Sequence, residues 1–310
     1  MYDNDKYIID SFKSAKNPLL AEKDYLECVI LDRLFDESCF KDNFVFAGGG
    51  TITKIYKLGN RIGQDIDLAL TDFNENPANS SQLHRFRVRF TKFVFNDLND
   101  KVSATLKQIG DFQVITDHQY RANNNIHYGA ASPTLHILYQ SEINPKGGDI
   151  NIEFIPRHYD ANAIQRKPVT PYSTGTTMSS DVPSVHYAQT FWDKVYALHT
   201  IHEIGMMRPG LANHYSDVAT LSKNVDLCKT QNMLLSVAEY QAKFTTRKLA
   251  PLTSVHDVKL MPTVSDMKRL SVDYQNLQGR FIRNAESWPC VLMTINKLNR
   301  NIKTLKENSK

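Results

Sequence analysis

The spacing of hydrophobic positions divides the chain into helical and extended stretches. Leu19, Leu20, Tyr25, Val29, Ile30, Leu34 and Phe35 recur near the helical period and predict helices over residues 1–42, an arm packed on the neighbouring sheet domain. After a polar break at 36–43, Phe44, Val45 and Phe46 read as a short apolar strand. Gly48, Gly49 and Gly50 come next, then an amphipathic turn or helix from Thr51 to Lys57. A loop holding Arg61 leads to a second strand, Asp65–Leu70, in which polar and apolar residues alternate. Residues 71–81 read as a loop, and 82–111 return to helical spacing through Leu83, Phe86, Phe90, Val94, Leu98, Val102 and Leu106. Between 112 and 156 the period falls to two. Phe112–Thr116, Ile126–Gly129, Thr134–Tyr139 and Asp149–Ile155 read as short strands of an antiparallel meander. Residues 157–187, rich in Pro, Ser and Thr, read as a linker. Helical spacing returns at Tyr187 and holds to the end, with breaks at Pro251, Pro262 and Pro289. The expected organisation is α+β: a mixed, largely antiparallel sheet flanked by helices over 1–170, then a mainly α-helical domain over 171–310.

The alternation in the second strand has a chemical consequence. Successive side chains of a strand point to opposite faces, so Asp65 and Asp67 share one face while Ile66, Leu68 and Leu70 share the other. Two carboxylates so placed, with Cα atoms roughly 7 Å apart at strand rise, repel unless a cation neutralises them. A hard divalent ion such as Mg²⁺, with Mn²⁺ as an alternative, takes oxygen ligands of this kind. The glycines add the other half of the pattern. A backbone without Cβ approaches a bulky ligand closely, and free N–H groups at a turn entering a helix bind anions. Gly49, Gly50 and Thr51 are therefore candidate phosphate contacts, and Lys54 and Arg61 candidate second contributors with structural roles as the alternative. In the later run Asn151 and Glu153 share a face opposite Ile150, Ile152 and Phe154, which offers a third carboxylate. A phosphate cradle beside an acid pair suits a nucleoside triphosphate and its metal.

Gly49-Gly50-Thr51, Lys54, Tyr56, Arg61 and Asp65-Ile66-Asp67-Leu68 resemble the first motif of the nucleotidyltransferase toxins of the AbiEii/AbiGii type, within the polymerase-β-like nucleotidyltransferase superfamily. Ala47 stands where a lysine is frequent, and Gly63-Gln64 where Ser-Glu is frequent. A second block, Gln189-Thr190-Phe191-Trp192-Asp193-Lys194 with Ala197-Leu198-His199, Arg208 and His214-Tyr215-Ser216-Asp217, resembles the same family, with Asp193 for its usual glutamate and Asn213 for its usual arginine. Val272-Asp273-Tyr274 continues the likeness. The resemblance implies a polymerase-β-like catalytic domain that moves a nucleoside monophosphate from an NTP to a hydroxyl and releases pyrophosphate. It implies Asp65, Asp67 and Glu153 as metal ligands, Lys194 on the triphosphate, and Asp217 orienting Lys194 or the incoming base. It also implies a toxin with a cognate antitoxin, and an RNA acceptor such as the tRNA 3′ end. A nucleotidyltransferase that modifies a protein or small molecule shares these motifs. So does a catalytically silent module that binds RNA or a partner on the same fold.

Charge bears on the acceptor. The net charge is +4, but Lys229–Lys310 carries +8 and the first 228 residues −4, and a basic C-terminal part favours a polyanionic partner. Cys28, Cys39, Cys228 and Cys290 are scattered, with no C-x-x-C pair, and read as reduced thiols. The N-terminus has no apolar signal region and no run approaches membrane-spanning length, so a cytoplasmic protein is expected. The glycine run lacks the Lys-Ser/Thr ending of a P-loop, and His199, His202 and Glu203 do not form H-E-x-x-H.

Overall fold

The computed structural model describes residues 6–63, 65–71, 79–124, 132–205, 209–244, 252–281 and 285–305. The chain divides into two compact units. The first holds Met1–Lys57 and Ile62–Val185, the second Leu58–Arg61 and His186–Lys310.

The first unit is built on a seven-stranded sheet in the order β3-β4-β5-β2-β1-β7-β6. Its strands are β1 (Phe44–Ala47), β2 (Asp65–Leu70), β3 (Phe112–Thr116), β4 (Thr134–Tyr139), β5 (Gly148–Ile155), β6 (Ile164–Pro168) and β7 (Asp181–Val185). β2 pairs with β5 and β1 with β7 in parallel; the other neighbours are antiparallel. One face is apolar because alternation is strict. Phe46, Ile66, Leu68, Ile150, Ile152, Phe154, Leu135 and Ile137 are all fully buried, and Phe44 meets Phe154 edge to face at 5.7 Å. The helices of this unit are α1 (Lys6–Ser14), α2 (Pro18–Asp36), α3 (Ser38–Asn43), α4 (Gly48–Lys54), α5 (Ser80–Phe93), α6 (Asn99–Leu106) and α7 (Asp117–Asn124). α2 opens with Asn17 as N-cap and Pro18 in its first turn. It is buried on several sides, and Leu26, Ile30, Leu31 and Leu34 are inaccessible to solvent.

The second unit is helical: α8 (Tyr187–Ile204), α9 (Ala212–Leu221), α10 (Leu227–Thr230), α11 (Asn232–Phe244), α12 (Val264–Asn276) and α13 (Trp288–Lys303). α8 ends on Gly205, whose φ of 69° gives the left-handed C-cap that glycine adopts without strain. The Asp273 carboxylate accepts from the backbone N–H groups of Gly210 and Ala212, both at 2.8 Å, and so ties α12 to the start of α9. Residues 58–61 join this unit as an extended segment, with Arg61 bridged antiparallel to Phe281.

Several elements depart from the sequence expectation. The predicted linker contains β6 and β7, so the sheet unit runs to Val185 rather than 170. The segment 82–111 is not one regular helix: a π-turn at Val94–Leu98 separates α5 from α6, and helix ends at Leu106. Asp117–Asn124 is helical, and the expected Ile126–Gly129 strand lies outside the described residues. The three glycines belong to α4 itself instead of preceding it.

Candidate active site

The second face of the sheet carries the acids. Asp67 and Glu153 are direct partners in the parallel β2–β5 register, and Asp65 is the partner of Asn151. All four are half-buried. Beside them, Ala47, Val45, Ala69 and Val185 form a small apolar cluster with Tyr159 and Ile164 on the same face. The carboxylates thus stand at the edge of a dry patch, where charge interactions are screened less than in water.

Gly48 brings the bend to the acids. Its φ is +71°, and the place a Cβ would take is occupied by the Asp67 carboxylate, whose Cγ lies 2.6 Å from that point. Only glycine combines that conformation with so close a neighbour. Gly48 and Gly49 are half-exposed at the start of α4, whereas Gly50 is buried. A Cβ on Gly50 would lie 2.7 Å from the Phe46 ring, and Gly63 packs against its Cα. The absence of a side chain at Gly50 is thus required by packing.

The Thr51 hydroxyl is corrected as a phosphate contact, and Lys54 takes the structural role that was its alternative. Thr51 is fully buried, and its hydroxyl donates to the Gly48 carbonyl at 2.8 Å, which stabilises the bend instead of facing a ligand. Lys54 is 1% exposed and points inward to α2. Its ammonium is hydrogen-bonded to Asp24 and lies 2.9 Å from Glu27 Oε2, while Asp24 also accepts from the Tyr172 N–H at 2.7 Å. Burial alone would lower the Lys54 ammonium, but Asp24 and Glu27 outweigh it and hold its pKa above the ordinary lysine value. Lys54 anchors α4 and is not available to phosphate.

The second unit holds the other predicted group. Asp217 on α9 accepts from Arg61 Nε at 3.3 Å and Nη2 at 2.7 Å, and Lys194 Nζ on α8 lies 2.8 Å from Asp217 Oδ2. All three residues are less than a tenth exposed. Burial would raise the Asp217 carboxyl, yet the charges and hydrogen bonds of Arg61 and Lys194 prevail and hold it well below the usual carboxylate range. Among the described residues, Arg61 and Lys194 both pair with the Asp217 carboxylate. Arg61 is thus committed to Asp217, and Asp217 fixes the Lys194 ammonium. Arg208 lies outside the described residues.

The carboxylates fit a divalent cation in kind and in register, since three acids project from one face of adjacent strands. Among the described residues, no three His, Cys, Asp or Glu side chains are gathered closely enough to hold an ion as they stand. Asp65 Oδ1 accepts from the Asn151 amide at 2.9 Å, so a cation would meet its other oxygen. Sequence reasoning missed two contributors here, Gly48 and Asn151. The first is hidden in a run of three equivalent glycines. The second was visible as the polar residue sharing a face with Glu153.

Residues 29–293 match the model of a family described as nucleotidyl transferase AbiEii toxin, type IV toxin–antitoxin system. Among solved structures, MenT4, a nucleotidyltransferase toxin from Mycobacterium tuberculosis H37Rv, is similar with a TM-score of 0.56 at 16% identity, over 96% of this chain and 88% of that one. JHP933 from Helicobacter pylori aligns over 92% of each chain with 13% identity and a TM-score of 0.46. A search of curated proteins gave no match. At such identities the MenT4 likeness speaks for the fold, and the family rests on the match across most of the sequence. With the Asp-x-Asp strand, its register partner Glu153 and the glycine bend in place, the chain belongs to the AbiEii nucleotidyl transferase toxin family of type IV toxin–antitoxin systems.

Proposed function

We propose that this toxin transfers a nucleoside monophosphate from an NTP to a hydroxyl of RNA, at the tRNA 3′ end. The acceptor oxygen forms a bond to the α-phosphorus as the bond to the pyrophosphate oxygen breaks, and pyrophosphate leaves. Asp65, Asp67 and Glu153 would hold divalent metal, Mg²⁺ or Mn²⁺. When bound, such an ion neutralises the triphosphate and lowers the pKa of an attacking hydroxyl. The chain's own part is positional. Gly48 lets Asp67 lie against the bend, and Lys54 pins α4 from behind through Asp24 and Glu27; the backbone N–H groups of Gly49 and Gly50 would bind phosphate. Lys194 is assigned to the triphosphate on the strength of its sequence block, with Asp217 and Arg61 as positioning residues. The observation that carries the reading is the register pairing of Asp67 with Glu153 beside Gly48. The +8 charge of Lys229–Lys310 supports a polyanionic acceptor, and a cytoplasmic site of action with a cognate antitoxin accords with the family. Among the described residues no helix is long and apolar enough to cross a membrane. The test is label transfer from each α-labelled NTP to total RNA in the presence of Mg²⁺ or Mn²⁺. Label in RNA that disappears with Asp67→Asn supports the reading; label in protein or in no acceptor rejects the RNA assignment.

A further inference from the structure

The acid face continues sideways across the sheet in two rows. Asp67, Glu153 and Thr134 are cross-strand partners on β2, β5 and β4. Two residues along, Asp65, Asn151 and His136 form a second row. This second row ends against α7. His136 stacks on Tyr120 with ring centroids 3.8 Å apart and planes within 1°. Its Nε2 lies 3.4 Å from Asp117 Oδ1, and Asp117 Oδ2 accepts from Arg121 at 2.9 Å.

Asn151 stands between this wall and the acids. Its Nδ2 donates to Asp65 Oδ1 at 2.9 Å. Among the described residues its Oδ1 is buried with no hydrogen-bond partner, as is Nδ1 of His136, its cross-strand neighbour. Leaving a buried polar atom unpaired is costly. The amide keeps this orientation because its reverse would set an amide oxygen against the Asp65 carboxylate. His136, the cross-strand partner of Asn151, is 6% exposed and stacked on Tyr120, so the row ends in a buried ring. An N–H fixed on one carboxylate oxygen sets the direction of the other. Partners of that kind orient metal ligands, and their removal typically costs about 10–100-fold in metal affinity.

We propose that Asn151 is a positioning residue for Asp65: its amide N–H holds one carboxylate oxygen so that the other is presented to a divalent cation. The proposal rests on the metal-binding reading of the acid face given above. Mn²⁺ binding to the full chain, without nucleotide, is measured by titration calorimetry alongside the melting temperature in chelator. Asn151→Ala and the nearly isosteric Asn151→Leu should each weaken Mn²⁺ binding about tenfold, with the melting temperature in chelator unchanged. Added to Asp65→Ala, Asn151→Ala should change affinity by less than about twofold, because the residue acts through Asp65. If Asn151→Ala does not melt cooperatively, Asn151→Leu decides. Parent-like Mn²⁺ affinity in both variants, or an undiminished loss in the Asp65→Ala background, overturns the proposal and leaves the metal reading standing. A parent chain that binds no Mn²⁺ overturns both.

Discussion

The carboxylate of Asp67 fills the space that a side chain on Gly48 would need. Strand and bend are thereby one object: the acid can sit where it does only because residue 48 has no Cβ. Gly48→Ala adds a left-handed penalty of about 1–2 kcal/mol and expels Asp67 from its seat. Nucleotidyl transfer should fall at least about a hundredfold, since small misplacements of reacting groups cost that much. Gly175 is the control. Its φ is +69° with nothing within 4 Å of the Cβ position, so Gly175→Ala should cost about 1 kcal/mol in a denaturant melt and leave transfer intact.

Removing charge from the acid pair should separate activity from stability. Asp67→Asn and Glu153→Gln keep the size of the two half-buried cross-strand neighbours, so each variant should still fold and melt cooperatively in chelator. Label transfer should be lost in both. A variant that keeps transfer would remove that carboxylate from the reaction.

Lys54 gives the opposite signature. Lys54→Met leaves Asp24 and Glu27 buried beside an apolar chain, a loss of about 3–5 kcal/mol by analogy with broken buried pairs. Purified folded protein should retain the parent KM for NTP. The sign of the pH dependence comes from the raised ammonium. Its stabilisation is fully present below the unfolded lysine value of about 10.4 and is lost only as pH rises through the higher folded value. Denaturation midpoints from pH 7 to 10 should therefore show no loss traceable to Lys54.

Asp217 behaves in the reverse sense. Its carboxyl is depressed in the folded chain, so its contribution is present above the unfolded value of about 3.9 and fades as pH falls through the lower folded value. Asp217→Asn leaves Arg61 and Lys194 facing one another and should cost about 3–5 kcal/mol. The difference in unfolding free energy between parent and variant should stay constant from pH 5 to 8 and shrink below pH 4. A difference that already shrinks at pH 6 would refute the assigned charge state.

The strands of the acid face were legible because alternation is strict there. Asp65-Ile66-Asp67-Leu68 and Asn151-Ile152-Glu153-Phe154 each announce one polar and one buried side. Their register was not legible, since it depends on pairing between segments more than eighty residues apart. α7 escaped because Asp117–Asn124 is polar almost throughout and carries no apolar stripe. β6 and β7 escaped because they are short and include Pro168 and Pro183 among loop-like neighbours. Lys54 looked like a ligand contact because its partners sit on α2, some thirty positions earlier. Asp24 and Glu27, one helical turn apart in a segment otherwise rich in apolar residues, were the available hint. The bundle residues around Lys194 were recognisable from their block, but the committal of Arg61 to Asp217 was not, because nothing local marks residues 58–61 as belonging with the helices.

That excursion of the chain sets a rule for dissecting the protein. A cut after Val185 looks natural, yet the released C-terminal fragment would lack Arg61 and the strand-like pairing with Phe281. Expressed as 186–310, it would keep the Lys194–Asp217 pair and lose the Arg61–Asp217 one. It should melt lower than the same fragment supplied with residues 58–61 through a short linker, and any truncation study that ignores this would mistake a missing residue for a missing domain.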